Sequence, residues 1–200
     1  MMHLGMSGSL RVLPDGTPPQ KHDHVDMTLN SGVILRYRDP RRFGSIFWLD
    51  QLSHRLLDHL GPEPLSKDFD GMTLFRASRD KTRNVKTLIM DADIVVGVGN
   101  IYANEALYLA GIRPTKAAGK ISGQRYERLA KAIKSVLEKA IAAGGTSLRD
   151  FLNEQGKPGY FRHELNVYDR AGEPCFGCGK PLTAVRITGR ATVYCPRCQR

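Results

Sequence analysis

The sequence predicts an α+β chain in which a β unit, a helical unit and a small metal-stabilised hairpin follow one another. Three observations support this prediction. Apolar and polar residues alternate between residues 25 and 37, apolar residues recur at helical spacing between residues 81 and 141, and two Cys-x2-Cys pairs stand near the end of the chain. The chain has 200 residues, of which 41% are hydrophobic. This composition excludes a disordered chain, and no apolar run approaches the roughly 18 residues of a membrane span.

The β unit is placed at residues 1–60. Alternation at residues 25–29, a turn at residues 30–32 and a returning run at residues 33–37 predict a hairpin, and residues 45–49 predict a further strand. Leucines at positions 52, 56, 57 and 60 have helical spacing, which Gly61 and Pro62 end. The stretch 61–64 is therefore interpreted as a linker between the β unit and the helical unit.

The helical unit is placed at residues 61–165. Helices are predicted at 81–90 and 100–110, and a longer helix follows Ser122 and ends at Gly144 and Gly145. One face of the longer helix carries a stripe predicted to belong to the core: Tyr126, Leu129, Ile133, Leu137, Ala140 and Ile141. Its lysines at 131, 134 and 139 are expected to be plain solvent charges.

Four cysteines predict one structural zinc ion in the last segment, residues 166–200. The ligands are Cys175, Cys178, Cys195 and Cys198, with sixteen residues between the two pairs. Four thiolates close a tetrahedral site and leave no position for a catalytic water. Residues 182–187 and 191–194 predict a hairpin between the pairs. The alternative is two disulfides in a secreted domain, but the chain opens without a leader, so a cytoplasmic location and zinc are expected.

The net charge of +10 predicts a polyanionic partner, nucleic acid before others. The excess lies in two blocks. Residues 76–140 carry thirteen basic and six acidic side chains, and residues 170–200 carry six and one. Solvated charged faces are the alternative, although these normally mix signs. No membrane partner is expected.

The loop between the first two predicted helices, residues 91–99, has features of an anion-binding site. Gly97 and Gly99 allow the backbone to approach a ligand, and Asn100 begins the next helix, whose N-terminal N–H groups suit a phosphate. Most two-glycine turns only change the chain direction. Because this one lies in a basic block beside Lys81, Arg83 and Lys86, we favour phosphate contact.

Several motifs together resemble the formamidopyrimidine-DNA glycosylase family, in order along the chain. They are HLGMSG at 3–8, KHDHVD at 21–26, DPRRFG at 39–44, LGPEPL at 60–65, VGVGNIY at 96–102, GKPGYF at 156–161 and the terminal zinc finger. The resemblance implies an N-terminal β-sandwich, a helix–two-turn–helix domain and a C-terminal zinc finger. It also implies a base-excision repair enzyme that flips out oxidised purines such as 8-oxoguanine and formamidopyrimidines. Such an enzyme then cuts the abasic strand by β,δ-elimination.

The resemblance further implies roles for individual residues. Met6, Arg41 and Phe43 match the residues that fill the gap left by the flipped base, with strand or loop packing as the plainer role for Met6 and Phe43. DNA contacts are matched by His22, Arg41, Lys81, Lys86, Asn100 and Arg190. Arg190 matches the family's proton donor for δ-elimination, although its high pKa makes phosphate clamping the safer role. His22 and His24 alone would also suit a metal pair, and the glycine-rich loop 146–165 matches the loop that covers the lesion.

The chain departs from the family pattern at its beginning. The family nucleophile is an N-terminal proline in a Pro-Glu opening, followed by a lysine in the same domain, and residues 1–20 contain neither this opening nor a lysine. The chain enters the pattern at its His-Leu-Gly-Met strand, so the β-sandwich is expected to be a remnant and catalysis by these 200 residues to fail.

Three classes of function follow. The first is a monomeric, nucleoid-associated glycosylase and lyase that acts on damaged double-stranded DNA. In this case the sequence is expected to come from a truncated gene model or a late-start fragment, without the Pro-Glu opening. The second is a zinc-dependent DNA-binding fragment without catalysis, and the third is a generic zinc-ribbon nucleic-acid protein. Endonuclease VIII shares the helical and zinc modules and is a further alternative, but it lacks the set of Met6, Arg41 and Phe43.

Overall fold

The computed structural model describes residues 1–51, 53–144 and 165–200. The chain divides into two compact units, Met1–His54 with Ala143–His163, and Arg55–Ala142 with Glu164–Arg200. Residues 146–164 of the predicted lesion-covering loop lie outside the described residues. Among the described helices, none has the length and apolar character that crossing a lipid bilayer requires.

The first unit is built on an antiparallel sheet with the strand order β2-β4-β3. Its strands are β2 (Ser9–Pro14), β3 (Asp23–Thr28) and β4 (Val33–Arg38). Two short strands, β1 (Met2–His3) and β5 (Ser45–Ile46), pair beside it. The predicted hairpin at residues 25–37 is confirmed, whereas the strand predicted at 45–49 ends at Ile46.

The register of this sheet places an apolar set of side chains on one face and a buried ion pair on the other. Val12 and Met27 both lie opposite Leu35, so their side chains share a face. Val12 is 57% exposed, so part of this apolar face is open to solvent. On the other face Arg36 is buried, and its Nε donates a hydrogen bond of 2.7 Å to Asp26. Such pairing satisfies a guanidinium that would otherwise be costly to bury.

The helix predicted around leucines 52–60 is wrong for the described part of that segment. Residues 55–59 form turns, in which the Leu60 N–H bonds to the carbonyl of Leu57. Leu56 and Leu57 are 41% and 37% exposed. A helix of this length has little intrinsic stability, and it forms only where packing buries its apolar face.

The second unit is helical before its C-terminal segment. It contains α1 (Gly71–Ser78), α2 (Val85–Ile89), α3 (Asn100–Leu109), a 3-10 turn (Ala118–Lys120) and α4 (Gly123–Ala142). The sequence interpretation missed α1, which Asp70 caps by accepting a hydrogen bond of 2.7 Å from the Thr73 N–H. It also began α2 four residues early, because Asn84 caps that helix through the Thr87 N–H.

Helix α4 buries most of the predicted apolar stripe. Tyr126, Leu129 and Ile133 are almost completely buried, whereas Ile141 near the end of the helix is 66% exposed. Lys134 is not a plain solvent charge, because its Nζ donates to the carbonyl oxygen of Ser66 at 2.9 Å. The core position of the stripe is therefore confirmed except for Ile141.

The C-terminal segment contains the predicted hairpin, formed by β6 (Thr183–Ile187) and β7 (Arg190–Tyr194). Its two-residue turn consists of Thr188 and Gly189, whose φ angles are 46° and 76°. Two successive positive φ values are typical of the type I′ turn that matches the twist of paired strands. Arg190, the first residue of β7, directly follows this turn and is exposed.

Candidate metal centre and nucleic-acid interface

The four predicted zinc ligands lie together in the second unit. Their sulfur atoms are all within 4.8 Å of one another, and the four cysteines are free. The Sγ atoms of Cys178 and Cys195 are 3.5 Å apart, and those of Cys175 and Cys198 are 4.0 Å apart. Zinc bonds thiolates at about 2.3 Å, so a tetrahedron of four sulfurs has edges of about 3.8 Å. The donor set and its spacing fit a closed zinc site.

Hydrogen bonds at the centre favour the thiolate of Cys175. Burial raises the pKa of Cys175, but hydrogen bonds from the Tyr108 hydroxyl and from the backbone N–H groups of Gly177 and Cys178 outweigh it and lower that pKa to about 6. The neighbouring sulfur of Cys178 acts in the opposite direction on Cys198 and raises its pKa to about 12 in the metal-free set. A thiolate is the form of cysteine that binds a metal, so the surroundings of Cys175 suit metal ligation.

Helices α2 and α3 contact strand β7 through polar side chains. The Val193 N–H donates to Oδ1 of Asn104 at 2.9 Å. Lys86 Nζ donates to Thr192 Oγ1 at 2.7 Å and to the Ala191 carbonyl oxygen at 3.1 Å. Asn100 Nδ2 donates to that same carbonyl oxygen at 3.2 Å.

The structure therefore brings Lys86, Asn100 and Arg190 to one end of the hairpin. Lys86 is only 1% exposed, and its ammonium is already hydrogen-bonded to the hairpin. Its contact with a phosphate stays a prediction. Asn104 and Thr192 were missed by sequence reasoning. The one available signal was that Asn104 follows Asn100 by four residues, which places both on the same face of α3.

The first turn of α3 presents N–H groups without a side-chain cap. Gly99 is the N-cap residue and supplies no side-chain hydrogen bond, and Gly97 has a φ of 76° that favours glycine. Oδ1 of Asn100 is buried and has no hydrogen-bond partner within residues 1–51, 53–144 and 165–200. A helix N-terminus of this kind is complementary to an anion.

A buried carboxylate on α3 holds the beginning of the C-terminal segment, residues 166–168. Glu105 is 1% exposed and accepts hydrogen bonds from the backbone N–H groups of Asn166, Val167 and Tyr168 at 2.8–2.9 Å. Glu105 therefore holds residues 166–168 against α3. Lys81, by contrast, is exposed in the loop between α1 and α2.

In the first unit, the three predicted gap-filling residues lie together on the surface. Arg41 Nη1 is 3.7 Å from the sulfur of Met6, and the guanidinium lies 5.0 Å from the centre of the Phe43 ring. Met6 and Phe43 are 50% and 59% exposed, and Arg41 is also exposed, as expected from the sequence. Side chains of this kind are available for contact with another molecule.

Asp39, which sequence reasoning missed, holds the backbone of this cluster through hydrogen bonds. It is fully buried and accepts hydrogen bonds from the Ser7 hydroxyl, the Tyr37 hydroxyl and the backbone N–H groups of Arg41 and Gly44. Burial raises the pKa of Asp39, but these four hydrogen bonds outweigh it and hold the pKa well below its usual range.

The two predicted histidines lie next to Asp39. His22 has a φ of 75°, and its carbonyl oxygen accepts the Asp39 N–H at 3.0 Å. The ring Nε2 of His24 is 2.9 Å from the carbonyl oxygen of Asp39. His22 therefore takes part in the backbone geometry that supports the gap-filling cluster, and its DNA contact stays a prediction.

We expect the stability of the second unit to depend on the charge of Lys86. Burial lowers the pKa of Lys86 to about 8, and the positive charge of Arg190 acts in the same direction. An unfolded lysine titrates near pH 10.4. The folded state therefore binds fewer protons between these values, and its stability rises as the pH increases from about 8 to above 10.

The measurement is urea unfolding of the wild-type protein and of Lys86→Met between pH 7 and pH 10.5. Relative to the variant, the wild type should gain up to about 3 kcal/mol over this range. Other titrating groups cancel in this comparison because both proteins contain them. Parallel pH profiles for the two proteins would contradict the prediction.

Comparison with known families accounts for most of the chain. A model described as the formamidopyrimidine-DNA glycosylase N-terminal domain matches residues 1–46. A model of the formamidopyrimidine-DNA glycosylase H2TH domain matches residues 60–152, and a zinc finger found in FPG and IleRS matches residues 172–200. Together with the clustered sulfurs, the last match assigns one structural zinc ion to the four cysteines.

Individual relatives agree with these matches. The formamidopyrimidine-DNA glycosylases of Marinobacter nauticus and Pseudomonas putida are 57% and 58% identical to the chain. The alignments cover 100% and 99% of the chain and 74% of each relative. The MutM (Fpg) structure from Thermus thermophilus has a TM-score of 0.86 at 36% identity and covers 99% of this chain and 74% of that chain.

A structure of the Lactococcus lactis Fpg with DNA containing an abasic site has a TM-score of 0.87 at 35% identity. It covers 100% of this chain and 74% of that chain. Taken with the three family models and the sequence identities, these similarities show that the chain belongs to the formamidopyrimidine-DNA glycosylase family.

Proposed function

We propose that this protein functions in the base-excision repair of oxidised purines, as a DNA glycosylase with lyase activity at abasic sites. Family membership supports the proposal, as do the solved complexes of the Lactococcus lactis Fpg, which contain DNA with an abasic site or with Fapy-dG. The proposed substrates are 8-oxoguanine and formamidopyrimidine in double-stranded DNA, and the proposed active form is a monomer. The bacterial source of the relatives favours the nucleoid as its location.

The proposed DNA contact of the second unit rests on one observation. The uncapped first turn of α3 lies at the hairpin end that carries Arg190, because Asn100 donates to the carbonyl oxygen of Ala191. N–H groups and a guanidinium at one place bind phosphate without reading the bases. Arg190 is accordingly assigned to a phosphate, because a group with a pKa above about 12 is a poor proton donor.

In the first unit, the proposed role of Met6, Arg41 and Phe43 is to occupy the gap that a flipped nucleotide leaves in the duplex. Two of the three are apolar and exposed, and the third is a cation held beside them. Apolar side chains inserted between base steps are a known way to hold a distorted duplex. His22 and Lys81 are proposed as additional phosphate contacts.

Catalysis by residues 1–200 alone is proposed to be absent. These residues do not include the Pro-Glu opening that supplies the family's nucleophile. Their own terminal amine, on Met1, donates a hydrogen bond of 2.8 Å to the carbonyl oxygen of Phe47, next to the β1–β5 pair. We propose that residues 1–200 bind damaged DNA and that the chemistry requires a Pro-Glu opening of the family type.

Binding to duplex DNA tests this proposal. Asn100→Ala and Arg190→Ala are each expected to weaken binding by about tenfold, since a hydrogen bond to a charged group contributes about 1.5–3 kcal/mol. The loss should be similar for different DNA sequences, and Arg190→Ala should also reduce the salt dependence of binding by roughly one phosphate contact. Fluorescence anisotropy at several salt concentrations measures both effects.

Lys139→Ala is the matched control, because it removes an exposed charge from α4 in the same unit. The control should leave the affinity within about twofold of the wild type, as expected for an exposed charge that is not among the proposed contacts. Unchanged binding by both Asn100→Ala and Arg190→Ala would show that this surface is not the DNA interface.

A further inference from the structure

Tyr108 connects helix α3 directly to the zinc centre. Its hydroxyl oxygen lies 3.4 Å from Sγ of Cys175. The side chain is partly buried against the small cluster of the finger, which consists of Val167, Cys175, Leu182, Val193 and Cys195. Tyr108 belongs to α3 and is not a metal ligand, so this contact adds a residue to the environment of the metal.

Zinc ligation fixes the direction of this hydrogen bond. A zinc-bound Cys175 is a thiolate and has no proton to donate. The proton in the contact between the two side chains is therefore that of the phenol, so Tyr108 donates and Cys175 accepts.

The space around this contact is closely filled. A Cβ placed on Gly177 would lie 3.3 Å from the Tyr108 hydroxyl oxygen and 3.8 Å from the sulfur of Cys198. The glycine thus lets the phenol and two of the sulfurs approach one another around its backbone. The hydroxyl is held at the metal site and is not at the end of a freely rotating surface side chain.

We infer that Tyr108 is a positioning residue of the zinc centre, whose hydroxyl stabilises the metal-bound thiolate of Cys175 and couples zinc retention to helix α3. Groups that hydrogen-bond to metal ligands orient them and tune their donor strength. This contact adds to the other hydrogen bonds between α3 and the finger, among them the bond from the Val193 N–H to Asn104, which lies one turn before Tyr108. The inference depends on the zinc site and not on the DNA activity.

Tyr108→Phe tests the inference, because it removes one oxygen and retains the ring. We expect zinc affinity, measured by competition with a chromogenic chelator, to fall by about tenfold or more, as for other lost partners of metal ligands. We also expect the sulfur-to-metal charge-transfer band of the cobalt-substituted protein to move to lower energy, because a thiolate without this hydrogen bond gives up an electron more easily.

Tyr126→Phe is the matched control. It removes another buried tyrosine hydroxyl of the second unit, which donates to the carbonyl oxygen of Ala118 at 3.0 Å. This variant should leave the zinc affinity and the cobalt band unchanged even if the helices become less stable. Unchanged zinc affinity and an unchanged cobalt band in Tyr108→Phe would overturn the inference.

A double-mutant cycle with Cys175→His separates the hydrogen bond from the packing of the ring. A Cys3His site still binds zinc, but its histidine has no sulfur to accept from Tyr108. In this background, Tyr108→Phe should change zinc affinity by less than about twofold. A loss of the same size in both backgrounds would show that the hydroxyl acts through folding and would contradict the inference.

Discussion

Removal of zinc is expected to unfold the β6–β7 segment while α4 stays folded. The finger's own buried cluster is small and includes two of the cysteines themselves. Metal binding contributes about 10–16 kcal/mol in zinc-finger peptides, far more than such a cluster can provide. Cys195→Ser or chelation should therefore eliminate the hairpin, whereas α4 has a buried stripe of its own in the helical part.

The consequence for DNA binding follows from the contacts of β7. Without the hairpin, Lys86, Asn100 and Asn104 lose their partners, and Arg190 loses its position beside α3. Affinity for duplex DNA should fall by at least about tenfold, the expected effect of losing the Arg190 contact alone. Elemental analysis should find one zinc per chain, and hydrogen exchange should report loss of protection confined to residues 166–200.

Cys198→His is the control for this experiment, because a Cys3His set still closes a tetrahedral site. It should retain zinc, the hairpin and DNA binding. Absence of zinc from protein purified without chelator would contradict the expectation, and so would an intact hairpin in Cys195→Ser.

The second large effect concerns imine formation. With DNA containing an abasic site, residues 1–200 should give no borohydride-trapped adduct at a yield typical of the family. A lyase of this kind needs a free amine at the reacting carbon, held in the correct geometry beside groups that move protons. The Met1 amine instead donates to Phe47, and β1 pairs with β5 immediately after it.

Restoring the opening provides the matched comparison. The chain aligns with 74% of the Marinobacter nauticus relative. Fusion of a family-type Pro-Glu opening to residues 1–200 should allow trapping, and a fusion whose first proline is changed to alanine should give much less adduct. A family-like yield from residues 1–200 alone would show that another amine of this chain performs the reaction.

Much of the site could be predicted from local patterns in the sequence. The spacing of the four cysteines predicts a closed zinc site because ligand type and loop length are local properties. Helix α4 and strands β6 and β7 were also predicted, since an apolar stripe or a short alternation identifies the element directly. The same reasoning failed at residues 53–60, where helical spacing was present but residues 55–59 form turns and leave Leu56 and Leu57 partly exposed.

The arrangement of the polar residues was decided by tertiary structure. Lys86 lies 105 residues from Ala191 in sequence, and nothing local indicates that its ammonium is buried against that strand. Nothing local indicates that Asp39 accepts hydrogen bonds from the backbone of the gap-filling cluster. Nor does anything local indicate that the hydroxyl of Tyr108 contacts Cys175, which lies 67 residues further along the chain. Local periodicity shows which face of an element is apolar, but only the packed chain determines which distant donor meets which acceptor. The identity of the zinc ligands was therefore determined by the sequence, whereas the position of the metal centre against α3, and of Arg190 beside the first turn of that helix, was decided by folding.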